Sequence, residues 1–149
     1  MRDYYLHWLE TDELPGWGMD GVSFWHHVQG WWNIRRLPNV LFVHFAALKA
    51  DMAGEIARIA QFLDIKVDVE AWPRILEHCR FDYMRKASEA TEWLNATWKD
   101  GGKTFFNQGV NGRWRDVLTP AEIARCEEIA ADRLTPDCAR WLTTGQLAG

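Results

Sequence analysis

Residues 103–119 read KTFFNQGVNGRWRDVLT, and this stretch carries the most specific pattern in the chain. Two glycines, Gly109 and Gly112, follow a pair of phenylalanines and precede an Arg-Trp-Arg triplet. Glycine lets the backbone adopt a positive φ and approach a ligand closely. Consecutive backbone N–H groups in a glycine-rich loop also converge on an anion. The stretch therefore predicts an anion-binding loop, with a plain glycine turn between two helices as the alternative.

Composition is that of an ordinary globular domain. The chain has 149 residues, of which 48% are hydrophobic and 26% charged, which is the size of one domain. A net charge of −4 argues against a nucleic-acid binder, which would show a basic face. The longest apolar run, residues 40–48, is too short for a membrane span. No secretory signal is evident and the three cysteines show no C-x-x-C spacing, so we expect a cytoplasmic protein with no metal.

Apolar residues recur at helical spacing along most of the chain, which is therefore predicted to be mostly helical. The clearest helix start is Thr119-Pro120-Ala121-Glu122, where Thr119 is the N-cap and Glu122 completes a capping box. Residues 12–21 and 88–112 are polar or glycine-rich and predict loops. The predicted helices are 2–11, 22–36, 52–63, 69–79 and 119–134, with a further turn at 81–86, and Asp51 is the expected N-cap of the helix at 52–63.

One segment predicts a β-strand. Residues 39–45, NVLFVHF, are β-branched, aromatic and apolar nearly throughout, which is typical of a strand buried on both faces of a parallel sheet. Such a strand pairs along both edges, and no convincing partner strand is evident elsewhere in the sequence. We therefore expect another segment or another chain to supply the neighbouring strands, and self-association if none does.

The order of these features resembles the C-terminal half of the cytosolic-type sulfotransferases. Their glycine-loop pattern is F-x-R-K-G-x-x-G-x-W-K followed by an aromatic residue or leucine and threonine. Segments elsewhere in the chain match further family motifs in the same order: NVLFV at 39–43, FAALKAD at 45–51, IAQFL at 59–63 and CRFDYMR at 79–85. The glycine-loop positions that match are Phe105, Gly109, Gly112, Trp114, Arg115, Leu118 and Thr119.

The resemblance implies both a fold class and an activity. The fold is α/β: the C-terminal half of a P-loop NTPase-like sulfotransferase fold, mostly helical, with one clear buried strand at about residues 39–45. Residues 1–149 then form a single partial domain. The implied reaction transfers a sulfuryl group from PAPS (3′-phosphoadenosine 5′-phosphosulfate) to a hydroxyl or amine of a small-molecule acceptor. The implied nucleotides are PAPS and its product PAP (adenosine 3′,5′-bisphosphate).

The resemblance also implies which residues contact the nucleotide. Two aromatic positions and a cysteine lie where the family contacts the adenine, two phenylalanines lie at the adenine edge, and the first loop glycine offers its N–H to the 3′-phosphate. Without a ligand the aromatic residues and the cysteine are ordinary core residues. The implied cofactor-binding residues are Phe45, Cys79, Phe81, Phe105, Phe106, Asn107, Gln108 and Gly109.

Two departures from the family pattern bear on that site. Asn107 and Gln108 replace the family's Arg-Lys pair, and a neutral amide has no positive charge to pair with a phosphate. Ala46 and Ala47 replace an acidic pair, directly after Phe45, which replaces a tyrosine. These changes weaken the expected nucleotide contacts.

No residue of this chain is predicted to be catalytic. The family's P-K-S-G-T-type phosphosulfate loop and its catalytic histidine lie in the half that this sequence does not match, and the neighbouring His26 and His27 would point about 100° apart on a helix. We expect the chain alone to be inactive and a complementing N-terminal half to supply the rest. The alternative is a non-catalytic, helical remnant or protein-interaction domain, in which the ten tryptophans fill cores and interfaces.

Overall fold

Helices account for most of the chain in a computed structural model, which describes residues 2–12, 23–101, 105–106 and 108–146. The chain divides into two units: unit 1 is Met1–Lys49 with Gly112–Gly149, and unit 2 is Ala50–Asn111. Short 3₁₀ turns lie at Val69–Ala71 and Arg113–Asp116. The α-helices are α1 (Arg2–Thr11), α2 (Phe24–Asn33), α3 (Phe45–Ala50), α4 (Met52–Phe62), α5 (Trp72–His78), α6 (Phe81–Ser88), α7 (Glu92–Thr97), α8 (Pro120–Arg133) and α9 (Pro136–Thr144).

The predicted strand is wrong, and with it the α/β class. No β-strand forms among the described residues; 40–44 have no regular secondary structure, and Phe45 already begins α3. The segment is not enclosed on both faces either, because Val43 is 37% exposed and Phe45 51% exposed. A strand exists through hydrogen bonds to a neighbouring strand, and no described segment lies alongside to supply them. The described architecture is therefore helical.

Unit 1 is held together by a hydrophobic core between α1, α2, α8 and α9, in which aromatic rings predominate. Trp32 meets Phe42 edge-to-face at 5.8 Å between ring centroids and packs on Trp141 at 5.4 Å. Its indole Nε1 donates to Asp137 Oδ2 at 3.0 Å, which satisfies the polar atom of an otherwise apolar side chain. The buried residues of this core are Leu9, Trp25, Trp32, Leu134 and Cys138.

The start of α8 confirms the capping box predicted from the sequence. The Thr119 side chain accepts a hydrogen bond from the Glu122 backbone N–H, and the Glu122 carboxylate accepts one from the Thr119 backbone N–H at 2.8 Å. Pro120 occupies the first turn, where its missing N–H is not needed. Glu122 also pairs with Arg2, so the cap connects α8 to α1.

Thr119→Ala is expected to lower the free energy of unfolding by about 0.5–2 kcal/mol, because the first turn of α8 loses its side-chain acceptor. Urea denaturation measures the change. The matched control is Thr143→Ala in α9, where the hydroxyl donates a hydrogen bond to the Ala139 carbonyl oxygen within the helix and caps nothing. A loss at Thr119 no larger than the loss at Thr143 would contradict the capping role.

Asp137, at the start of α9, makes the stability of unit 1 sensitive to acid. Hydrogen bonds from Thr135 and Trp32, with the nearby Arg35 guanidinium, lower the pKa of Asp137 from 3.8 to about 2. Since the folded pKa is depressed, the stabilisation is fully present above about pH 4 and is lost as the pH falls toward 2. We expect Asp137→Asn to lower stability at pH 7 and to flatten the acid part of the stability profile. Thermal melts across pH 2–7 measure both effects. The control is Asp132→Asn, because the Asp132 side chain is 82% exposed. If Asp137→Asn left the acid part of the stability profile unchanged, Asp137 would not be the source of the acid sensitivity.

Unit 2 contains α4 to α7. The Asp51 side chain caps α4 by accepting from the Gly54 backbone N–H at 2.9 Å, as the sequence predicts. The predicted loop 88–112 is wrong in part, because α7 forms inside it with Leu94 only 4% exposed. Packing of that single leucine and a hydrogen bond from the Asn95 side chain to the Glu89 carbonyl hold a helix that the local polar composition does not predict. No helix in the described parts of the chain is long and apolar enough to cross a membrane.

Candidate functional site

Unit 2 brings together a row of aromatic rings from separate parts of its sequence. Phe106 meets Phe81 at 6.1 Å between ring centroids and Phe105 at 5.0 Å, both edge-to-face. Phe105 meets Trp98 at 5.5 Å. We call these four residues the aromatic cluster. Phe105 and Trp98 are 49% and 41% exposed, so part of the cluster's aromatic surface remains accessible to a further flat group.

The backbone of the glycine loop lies directly on this cluster. Gly109 has φ +62°, and a Cβ at that position would come within 2.4 Å of Phe81 Cδ2. Any other residue would therefore be strained in its backbone and would collide with the ring. Gly112 also has a positive φ, +83°, where it precedes a 3₁₀ turn. The sequence interpretation that these glycines supply positive φ is confirmed at both positions.

Helix α6 presents a cation beside the same ring. Arg85 lies one turn after Phe81, and its Cζ is 5.9 Å from the centroid of that ring. Residues four apart on a helix share a face, so this spacing was the sequence signal for the contact. Neither Arg85 nor Trp98 is among the site residues predicted from the sequence.

The remaining predicted site residues are distributed differently. Cys79 is exposed at the end of α5, where its backbone N–H bonds the Ile75 carbonyl. Gln108 is exposed. Phe45 belongs to unit 1, at the start of α3. Asn107 lies outside the described residues. Of the eight predicted positions, the structure thus places Phe81, Phe105, Phe106 and Gly109 in one contiguous group.

Unit 1 contains a cavity of about 340 Å³ with a different lining. Its apolar part includes Leu9, Trp25 and Ile129, and Trp25 Nε1 has no hydrogen-bond partner among the described residues. Its polar part is dominated by paired charges, with Arg125 bonded to Glu10 at 3.0 Å. Within the described ranges, no group of three or more His, Cys, Asp or Glu side chains is arranged to hold a metal ion.

Comparison with known proteins identifies the family. The family model described as the sulfotransferase domain matches residues 19–137. The chain belongs to the sulfotransferase domain family. The family resemblance predicted from the sequence motifs is thereby confirmed.

Two curated sulfotransferases show how much of such a protein this chain represents. It is 27% identical to Sulfotransferase 1B1 of Mus musculus over 128 residues, which cover 85% of this chain and 43% of that protein. It is 32% identical to a glycolipid sulfotransferase of Mycobacterium bovis over 153 residues, which cover 93% of this chain and 46% of that protein. The chain spans less than half the length of these relatives.

A solved sulfotransferase structure has the same fold over the matched part. The crystal structure of mouse sulfotransferase SULT7A1 complexed with PAP superposes with a TM-score of 0.74 and 26% sequence identity, and the match covers 93% of this chain and 49% of that chain. The helical arrangement of this sulfotransferase chain therefore corresponds to about half of that protein.

Proposed function

We propose that this chain forms the adenine and 3′-phosphate side of a PAPS site in a sulfotransferase. The observation that carries the proposal is the contact between Gly109 and Phe81, because it brings the loop backbone against an aromatic ring, and both residues belong to the family's nucleotide-binding motifs. Stacking of a base on an aromatic side chain contributes roughly 1–3 kcal/mol. Phe105 and Phe106 extend the aromatic surface toward the loop. The similar mouse sulfotransferase complexed with PAP supports the choice of nucleotide.

The chemistry follows from the family. The acceptor oxygen or nitrogen attacks the sulfur of PAPS, the bond between sulfur and the bridging oxygen of the 5′-phosphate breaks, and PAP leaves. A base removes the acceptor proton, and cationic groups stabilise the charge that develops on the bridging oxygen. We assign to this chain the binding and orientation of the nucleotide. We propose that the phosphosulfate loop and the base come from an N-terminal half or a second chain.

The double variant Asn107→Arg, Gln108→Lys is expected to bind PAP about tenfold more tightly, or better. It restores two cations in the loop, and a hydrogen bond to a charged group contributes roughly 1.5–3 kcal/mol. Isothermal titration calorimetry with PAP measures the change. Asn107 lies outside the described residues, so this expectation rests on the sequence motif.

The control for the loop double variant is a second double variant, Ala124→Arg with Ala131→Lys, at exposed positions of α8. It raises the net charge by the same amount as the loop variant. A specific phosphate site predicts tighter binding only for the loop variant. Equal gains in both variants would mean that net charge alone attracts PAP.

A second candidate function is a non-catalytic interaction domain, favoured by exposed tryptophans. Trp93 is 61% exposed and Trp31 49% exposed, and exposed aromatic residues are enriched at protein interfaces. The same titrations separate the two functions. If neither the wild-type chain nor the loop double variant binds PAP, the interaction domain is the better account.

A further inference from the structure

The loop lacks the Arg-Lys pair that the family's nucleotide-binding pattern carries directly before the first glycine. A 3′-phosphate has up to two negative charges, and Asn107 and Gln108 offer only neutral amide groups. If the proposed PAP site exists, on which this inference rests, another cation must offset that charge. The backbone N–H of Gly109 is a single neutral donor and brings no positive charge of its own.

Arg85 is placed to supply that cation. Its guanidinium carbon lies 5.9 Å from the centroid of the Phe81 ring, and Gly109 packs its backbone against the same ring. The three groups belong to unit 2. The guanidinium and the loop backbone therefore both lie next to the Phe81 ring.

The present partner of Arg85 holds it only weakly. Arg85 Nη2 is 3.5 Å from Asp82 Oδ1, which is longer than the 2.7–2.9 Å of a good charge-assisted hydrogen bond. Both side chains face solvent, with Arg85 49% and Asp82 84% exposed. Exposed ion pairs of this kind contribute little, so the guanidinium is available to a stronger anion. Arginine also matches a phosphate in a bidentate geometry, which lysine does not.

We propose that Arg85 binds the 3′-phosphate of the nucleotide and replaces the Arg-Lys pair that the family carries in the loop. The charge that the family takes from the loop comes here from α6. Arg85 is then a ligand-contacting residue of the nucleotide site and takes no part in the chemical step.

Arg85→Gln tests this by calorimetry with two nucleotides, PAP and adenosine 5′-monophosphate, which lacks the 3′-phosphate. We expect the variant to bind PAP roughly tenfold more weakly, as for the loss of a hydrogen bond to a charged group. Its affinity for adenosine 5′-monophosphate should stay within about twofold of the wild-type value, since stacking is retained. Arg85→Lys keeps the positive charge but loses the bidentate guanidinium, so its affinity for PAP should lie between those of the wild type and Arg85→Gln.

Arg80→Gln is the matched control. Arg80 is also exposed, at 68%, and also pairs with an acidic residue three positions earlier, Glu77 at 3.6 Å. The cation–π contacts of the described residues involve Arg35, Arg85 and Arg115 and not Arg80, so its loss should leave the affinity for both nucleotides unchanged. Circular dichroism melts confirm that all variants remain folded, and Arg85, being exposed, should change the melting temperature little.

Each alternative outcome overturns the proposal in a distinguishable way. PAP binding that is equal in wild type and Arg85→Gln removes Arg85 from the site and leaves the proposed function intact. An equal loss for both nucleotides means that Arg85 supports the stacking surface and not the phosphate. PAP binding seen only after Asn107→Arg, Gln108→Lys means that no existing residue replaces the pair. Failure of every variant to bind PAP refutes the proposed function, and this inference with it.

Discussion

Replacing Trp32 by alanine is expected to lower the free energy of unfolding by about 3–5 kcal/mol, the usual cost of truncating a buried aromatic residue. The side chain is 2% exposed and packs between Phe42 and Trp141. Its removal also leaves Asp137 without the indole donor. The Arg35 guanidinium loses the ring over which it lies at 4.3 Å. Since small domains are stable by only about 5–15 kcal/mol, this one change removes a large share of the total.

The neighbouring tryptophan provides the control. Trp31 is on the same helix but is 49% exposed, so Trp31→Ala should cost less than about 1 kcal/mol. Trp32→Phe keeps a ring in the core, so its loss of unfolding free energy should lie between those of Trp31→Ala and Trp32→Ala. Urea denaturation followed by circular dichroism measures all three variants, and Trp32→Phe gives a value even if Trp32→Ala fails to fold. Equal losses for Trp31→Ala and Trp32→Ala would contradict the core described for unit 1.

Gly109→Ala is expected to weaken PAP binding by roughly 5- to 150-fold. A non-glycine residue held at positive φ costs about 1–3 kcal/mol, and tenfold in affinity corresponds to about 1.4 kcal/mol. The added methyl group would also collide with the Phe81 ring. The free protein relieves both by moving the loop, and binding must then return the loop to its strained conformation. Calorimetry with PAP measures the loss.

Gly30 gives the same substitution in a place where it should do no harm. It lies within α2, is exposed, and an added Cβ would meet nothing within 4 Å. Gly30→Ala should raise stability by about 0.5–1 kcal/mol, because glycine is a poor helix former, and should leave PAP affinity unchanged. If Gly109→Ala binds PAP as well as Gly30→Ala does, the loop backbone does not form the phosphate contact.

Features encoded within a few neighbouring residues were predictable. The capping box of Thr119 and Glu122 needs only four residues of sequence, and it forms as predicted. The same holds for Asp51 at the start of α4 and for the positive φ of Gly109. Family membership was also predictable, because the motifs carry chemistry in a fixed order and the comparisons confirm it. In each case the physical cause lies within the motif itself.

Features that depend on distant partners were not predictable. Residues 39–45 have the composition of a buried strand, yet strand hydrogen bonds need a neighbouring strand, and the described residues provide none. Helix α7 formed in a predicted loop because Leu94 is buried by its surroundings. In the candidate site the sequence named Phe81 and Gly109 separately, but folding put one against the other. Local sequence specifies the caps, turns and helix faces, whereas strand pairing and the approach of loop to ring depend on contacts between segments far apart in the chain.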